Sequence, residues 1–271
     1  MPELPEVETV RRGLDLTIVG RTITAARATG VRTVRASSAA AVEGTAIGRT
    51  VTATDRHGKW MWLSLDDDAA RLYIHLRMSG QLLWGPAIMT ARPHTHVVLE
   101  FGSDELRFVD PRTFGEVVPS IGDSLIAGVA RQGPDALMLD PDGWIEVLLG
   151  RRALKTVITD QTRIAGIGNI YADEICFRAG FRPSRSVDTL PKTAAWRLAD
   201  ATTSILMTAI DARGSSLSDE QYVDLLGRPG DFQHQHRVHA RAGEPCATCG
   251  TAITGGRLAG RGTYWCGRCQ R

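Results

Sequence analysis

The sequence predicts an α+β multidomain protein: an N-terminal helix plus an antiparallel β-sandwich, then a helical part, then a C-terminal zinc ribbon. Three observations predict it. Residues 21–120 are filled with short β-branched or aromatic segments broken by Gly, Asp and Ser. Beyond residue 123 apolar residues recur at three-to-four spacing. The end of the chain carries two C-x-x-C pairs. The 271 residues are enough for two modest domains or one domain with appendages, and the texture changes place the boundaries at 1–122, 123–227 and 236–271.

At the start, Leu4, Val7, Val10 and Leu14 recur at helical spacing and Gly13 reads as a stop, so residues 3–13 are expected to be helical. Pro2 suits a first helical position, where a missing N–H costs nothing, and the early glutamates suit a helix N-terminus. The segments TITAARA, TVTATD, WMWLSL, RLYIHL, HVVLEF and ELRFVD follow as strands, with GSDE as a hairpin turn. WIEVLLGRRAL, NIYADEICFRAG and KTAAWRLADATTSILMTAID read as helices, the last ending at Gly214. The polar, Gly-containing stretch from Ser215 to His236 reads as a long mobile loop or linker.

Composition narrows the function classes. Hydrophobic content of 43% and charged content of 23% are those of an ordinary globular protein. No apolar run approaches the roughly 18 residues of a membrane span, and no basic segment followed by an apolar one opens the chain, so the expected compartment is the cytoplasm. The net charge is +2, but residues 228–271 carry +5, leaving −3 for the rest. A basic tail on a mildly acidic body suggests contact with a polyanion, or a solvated surface.

Cysteine usage is sharper. Cys246 and Cys249 precede Cys266 and Cys269 by sixteen intervening residues. That spacing lets four thiolates surround one tetrahedral ion. Disulfides are the alternative, disfavoured where thiols stay reduced. A closed four-cysteine site leaves no position for a reacting water, so the expected Zn2+ is a single structural ion. Cys176 stands alone in an apolar run and reads as a small buried hydrophobe.

Five stretches come in one order along the whole chain: MPELPEVET at 1–9, HLRMSG at 75–80, DPRTFGE at 110–116, AGIGNIYADE at 165–174, and GRGTYWCGRCQR at the end. Together they resemble the bacterial formamidopyrimidine-DNA glycosylase family, which removes 8-oxoguanine and ring-opened purines from DNA. The resemblance implies a helix–two-turn–helix DNA-binding domain in the middle of the chain. It implies a monomer acting at the bacterial nucleoid on double-stranded DNA with oxidised or abasic nucleotides, by a glycosylase step and β,δ-elimination.

The same resemblance assigns roles. Loss of Met1 would leave Pro2 with a secondary amine. An α-amino group has a pKa of about 7.7–8.0 and is partly neutral near pH 7, so Pro2 takes the nucleophile's place. Glu3 would be the acid at the sugar ring oxygen, and Glu6 an ordering carboxylate. Lys59 would approach the lesion and assist elimination. Met78, Arg112 and Phe114 would intercalate in the gap left by an extruded nucleotide. His94, Arg112, Arg151, Arg152, Lys155 and Asn169 would contact DNA, and Arg261 would grip the phosphate of the lesion.

Ordinary structural readings stand beside these: helix-dipole glutamates, a surface strand lysine, a core methionine and phenylalanine, and a salt-bridged arginine. The chain departs from the family pattern at Thr113, His239 and Ala240, where a basic residue, Tyr and Gly are commoner. Leu4 separates the opening from the PEGPE-like start of endonuclease VIII-type enzymes, which act on oxidised pyrimidines. A non-catalytic damage binder would be expected to lack Pro2, Glu3 or Lys59, and all three are present.

Overall fold

Helix α1 (Leu4–Ile18) buries one stripe, Leu4, Val7, Val10, Leu14 and Ile18, each at 0–1% exposure. It runs past the expected stop because Leu14 and Ile18 continue the stripe. Gly13 is instead a seat for Leu225: a Cβ there would lie 3.2 Å from Leu225 Cβ. The helix also starts later than expected. Glu3 is its N-cap and Pro5 occupies the first turn, so Pro2 lies outside it. The computed structural model describes residues 1–66, 69–88, 90, 92–122, 124–216 and 222–271. The chain divides into two compact units, Met1–Ala130 with Ala212–Asp231, and Arg131–Asp211 with Phe232–Arg271.

In the first unit α1 packs against a sandwich of two four-stranded antiparallel sheets. The strands are β1 (Ala25–Ala28), β2 (Val51–His57), β3 (Trp60–Leu65), β4 (Ala70–His75), β5 (Gln81–Pro86), β6 (Thr95–Phe101), β7 (Asp104–Val109) and β8 (Glu116–Ile121). One sheet has the order β2-β3-β4-β8 and the other β1-β6-β7-β5. The GSDE turn joins β6 to β7 as expected. A helix α2 (Ala39–Ala46), capped by Ser38 Oγ accepting from Ala41 N at 3.1 Å, has no counterpart among the expected elements. A short α3 (Ala127–Ala130) follows the sheets. Alternation along the strands sends Leu63, Leu72, Val97, Leu99 and Leu106 to the shared core.

The stretch expected to be a mobile loop is packed where it is described. Tyr222 and Leu225 join the sandwich core, and Trp84 N donates to Leu225 O at 2.9 Å. Residues 217–221 lie outside the described residues. Ser216 Oγ accepts from Gly230 N at 3.0 Å and donates to Tyr222 O at 2.6 Å, which ties the two ends of this excursion together.

The second unit holds α4 (Pro141–Val147), α5 (Leu154–Ile158), α6 (Asn169–Ala179) and α7 (Ala194–Asp211). The expected WIEVLLGRRAL helix is split between α4 and α5. Arg163 Nη1 takes the carbonyls of Val147 at 3.0 Å and Leu149 at 2.6 Å, ending α4 there. The ribbon hairpin is β9 (Ile253–Leu258) with β10 (Arg261–Cys266), joined by Ala259 and Gly260, both at positive φ as a tight two-residue turn requires. No helix among the described residues is long and apolar enough to cross a membrane.

Gly214 is a tightly constrained joint of the first unit. Its φ is +78°, and a Cβ there would sit 2.6 Å from Glu6 Oε1. Gly214→Ala therefore meets both a left-handed backbone penalty and a buried carboxylate. It is expected to cost about 2–3 kcal/mol of stability, measured by urea denaturation.

Candidate active site and nucleic-acid interface

Three glutamates lie at the start of α1, and the structure separates their tasks. Glu8 is structural: Arg11, Arg12 and Arg56 all bond its carboxylate, at 2.9–3.1 Å. Burial alone would raise its pKa, but the Arg11 hydrogen bond and the Arg11 and Arg56 charges bring it below the usual value. Glu3 and Glu6 form a reciprocal capping box, with Glu3 N donating to Glu6 Oε2 at 2.7 Å. The second oxygen of Glu6 accepts from Ser215 N at 2.7 Å. Pro2, Glu3 and Glu6 are all buried, with Met1 half exposed ahead of them.

Lys59 lies in the turn between β2 and β3 and is 5% exposed. Arg56 links that turn to α1: it bonds Glu8 and, through Nη1, Gly58 O at 2.9 Å. Buried His75 adjoins it, its ring edge-on to Trp60 at 4.8 Å. His75 Nδ1 accepts from Arg77 N at 2.9 Å, so the ring proton is on Nε2. Burial, then the charges of Arg77, Lys59 and Arg35, hold His75 well below the usual histidine pKa, so the ring stays neutral.

Asp110, at 0% exposure, organises the next group. Its carboxylate accepts from Ser79 Oγ at 2.6 Å, Arg112 N at 3.1 Å and Gly115 N at 2.7 Å. It thus ties the HLRMSG turn to the DPRTFG turn, 31 residues apart. Arg35 completes the clamp, donating to Phe114 O at 2.9 Å and pairing with Glu116 at 2.5 Å. Around this rigid centre Met78 and Phe114 stay 38% and 41% exposed, and the Arg112 guanidinium lies 4.9 Å over the Phe114 ring. Thr113 adopts φ +54° between them, its N–H bonded to Asp110 O. His94 is exposed, also at positive φ.

In the second unit a cleft of about 380 Å³ is lined by Arg152, Lys155, Gln161 and Arg261 among others. Arg261 is exposed at the foot of the ribbon turn. Arg152 is paired to Asp160 at 2.7 Å, and Arg151 is 91% exposed with Asp188 at 3.6 Å. Gln161 staples the segment before α6, accepting from Gly166 N and donating to Thr159 O and Ile167 O. Asn169 opens α6, and its buried Oδ1 has no partner among the described residues.

Lys155 corrects the expectation that it reaches out to phosphate. Its ammonium is buried against Asp173 at 2.7 Å, Gly262 O at 2.8 Å and Thr263 Oγ1 at 3.2 Å, so it holds the ribbon hairpin. Asp173 also accepts from His239 Nδ1 at 2.9 Å, which gives the departure at His239 a definite partner. Ala240 follows at φ +60°, the conformation that glycine takes without strain. Glu174 receives the N–H groups of Arg237, Val238 and His239 at 2.8–3.0 Å. Burial raises its pKa, and those three amides restrain the rise.

The four ribbon thiols fit a zinc ion. All Sγ atoms lie within 4.8 Å of one another, with Cys246 to Cys269 at 3.9 Å and Cys249 to Cys266 at 3.4 Å. A tetrahedron with Zn–S near 2.3 Å has edges of about 3.8 Å. Cys176 is a free thiol at 0% exposure, as expected of a core residue.

Comparison with known proteins agrees along the whole chain. The family models described as formamidopyrimidine-DNA glycosylase N-terminal domain, formamidopyrimidine-DNA glycosylase H2TH domain, and zinc finger found in FPG and IleRS match residues 1–117, 141–221 and 243–271. The formamidopyrimidine-DNA glycosylase of Mycolicibacterium smegmatis is 40% identical over 281 residues, covering 100% of this chain and 97% of its own. That of Solibacter usitatus is 39% identical, covering 100% of both. The chain belongs to the formamidopyrimidine-DNA glycosylase family. Among solved family structures, the MutM (FPG) protein of Thermus thermophilus superposes with a TM-score of 0.88 at 35% identity, over 99% of this chain and 98% of its own. A complex of Lactococcus lactis Fpg with DNA containing an abasic site superposes at 0.90 and 31% identity, over 99% of both chains.

Sequence reasoning missed the residues that hold this family's site in shape. Asp110 and Glu174 stand inside the quoted motifs, and an acid there was the available signal. That each binds several main-chain amides could not be read from spacing. Asp110→Asn keeps the size but loses acceptor capacity toward three donors. It is expected to cost about 2 kcal/mol and to speed amide exchange at Arg112 and Gly115, read by thermal unfolding and hydrogen exchange.

His236, in edge-on ring contact with Phe232 and His239, supplies a pH test. Burial, then the neighbouring His239, His234 and Arg241, lower its pKa from 6.5 to about 3. The unfolded ring takes up a proton near 6.5 and the folded ring does not until about 3. The unfolded state therefore binds one more proton in that window, and stability falls as the pH falls through it. In His236→Gln the dependence on pH across this window should flatten, measured by denaturation at stepped pH.

Proposed function

We propose that this protein is a base-excision repair enzyme that removes oxidised purines, 8-oxoguanine and formamidopyrimidines, from double-stranded DNA and then cleaves the abasic strand. The observation that carries the reading is the N-terminus. Pro2 lies ahead of α1 rather than in its first turn, buried beside a carboxylate pair locked in a capping box. A helix start alone does not require that arrangement.

Once Met1 is removed, the Pro2 nitrogen carries a lone pair. It attacks C1′ of the damaged nucleotide, and the base leaves with the electrons of the glycosidic bond and takes up the proton that the Pro2 nitrogen gives up. Glu3 protonates the ring oxygen, the sugar opens, and an iminium joins Pro2 to C1′. The iminium acidifies the C2′ hydrogen. Loss of that proton expels the 3′ phosphate, and a second elimination expels the 5′ phosphate. Lys59 serves beside this centre as a cation toward the lesion and its phosphate. Glu6 holds Glu3 N and Ser215 N and keeps the N-terminus in place.

Met78 and Phe114 fill the emptied position in the duplex, and Arg112 offers donors to the orphaned base. His94, Arg151, Arg152 and Asn169 contact backbone phosphates. A zinc ion held by Cys246, Cys249, Cys266 and Cys269 would supply folding energy to the ribbon and no reacting water, and the ribbon turn carries Arg261, whose planar fork suits a phosphate. The proposed modules are 1–122 for catalysis, 123–227 for helix–two-turn–helix binding and 236–271 for the ribbon, except that residues 123–130 and 212–227 pack with the first unit. The protein acts as a monomer in the cytoplasm, at the nucleoid.

Borohydride trapping on an abasic-site oligonucleotide tests the reading. Protein with a free Pro2 terminus should become covalently attached to the DNA. The same protein with an uncleavable residue ahead of Pro2 should give no adduct, because its nitrogen is then an amide. Equal trapping of both forms would remove Pro2 from the mechanism.

A further inference from the structure

The outward face of the β1-β6-β7-β5 sheet carries a row of arginines that the chemistry above does not use. Register places Arg27 opposite Val98 on β6, and Val98 opposite Arg107 on β7, so the three side chains share one face. Their neighbours Val97 and Leu99 belong to the core, so the row points away from it. Val98 is nonetheless only 4% exposed, as expected where long arginine stems lie over it. The row forms the floor of a cleft of about 280 Å³, walled by Arg92, His94, His96 and Glu105.

The charges in this cleft are unevenly spent. Glu105 is taken by Arg107, which also donates to Thr90 O at 3.0 Å. The Arg27 and Arg92 side chains have no hydrogen bond or ion pair among the described residues. Counting arginine and glutamate alone, three arginines against one glutamate leave a formal +2. The nearby hydroxyls are committed to main chain, Thr29 Oγ1 to Thr95 O at 3.4 Å and Thr95 Oγ1 to Arg92 O at 2.7 Å. What remains is two guanidinium groups, suited to bidentate contact with a phosphate and carrying no base-reading group.

The cleft is built onto the wedge. Asp110 N donates to His94 O at 3.0 Å, and His96 Nε2 donates to Asp110 O at 2.9 Å. The residue whose carboxylate sets Met78, Arg112 and Phe114 is therefore bonded through its main chain to both histidines of the cleft wall. A duplex seated on the wedge presents a phosphate about every 3.4 Å per strand.

We infer that Arg27 and Arg92 form a second phosphate-binding cleft, which holds a DNA backbone phosphate beyond the one assigned to His94 and extends the footprint without reading sequence. The identity of the ligand rests on the function proposed above.

The test uses the full-length, zinc-loaded protein and fluorescence anisotropy on duplexes with and without a tetrahydrofuran abasic analogue. Arg27→Gln with Arg92→Gln should weaken binding by about 10-fold near 0.1 M salt and flatten the plot of log affinity against log salt by about 0.9. The loss should be equal on damaged and undamaged duplexes of different sequence, and the double lysine variant should recover most of it.

An unchanged salt slope, a loss confined to the damaged duplex, or no recovery by lysine would each overturn the inference. So would tight binding of inorganic pyrophosphate that the glutamine variant abolishes while its DNA slope stays as in the wild type, since the cleft would then belong to a free anion. The readout needs no catalysis. A protein that is never trapped by borohydride but shows the slope change keeps the cleft and loses the glycosylase reading.

Discussion

The first unit depends on one buried carboxylate. Asp110 has no counter-ion among the described residues; main-chain N–H groups and a serine hydroxyl satisfy it. A buried acid of this kind is tolerated only while every acceptor is filled, so the turns that supply the donors must hold their shape. That requirement keeps Met78 and Phe114 exposed on a rigid base, where burial of apolar area would otherwise draw them inward. Exposed apolar side chains on a stiff loop are what the proposed intercalating wedge needs, because the energy of unstacking a duplex cannot be met by a loop that yields.

Glu6 and Glu174 repeat the device elsewhere. Glu6 joins the start of α1 to Ser215, more than two hundred residues away. Gly214 follows from it, since no side chain fits beside that carboxylate. In the second unit Glu174 gathers three consecutive amides, and its neighbour Asp173 bridges Lys155 and His239. Together they fix the chain that enters the ribbon and the hairpin that carries Arg261. Lys155 and Arg261 illustrate how alike two basic residues look in a sequence. One is sequestered in an ion pair and the other is exposed at a turn.

Much of the architecture was legible beforehand. The stripe of α1, the alternating strands, the β6–β7 turn and the two cysteine pairs each follow from local chemistry, because periodicity and metal-ligand spacing act over a few residues. The errors fell where a distant partner decided the outcome. Gly13 looked like a helix stop until Leu225 packed against it. The Ser215–His236 stretch looked mobile because its polar composition hides two apolar anchors, Tyr222 and Leu225, that enter the core of the first unit. WIEVLLGRRAL looked like one helix because nothing local announces that Arg163 will take the carbonyls at its middle.

The sequence by itself determined the fold class, the zinc ligands and the list of chemically competent residues, since residue type and short spacing set those. Tertiary structure alone decided which of them are available. Whether a glutamate ends in an arginine cage, as Glu8 does, or in a capping box, as Glu3 and Glu6 do, depends on what other segments bring to it. So does whether a lysine is spent on an internal carboxylate. A charge buried in protein must be matched by partners at hydrogen-bond distance, and those partners come from parts of the chain whose positions only the folded state sets.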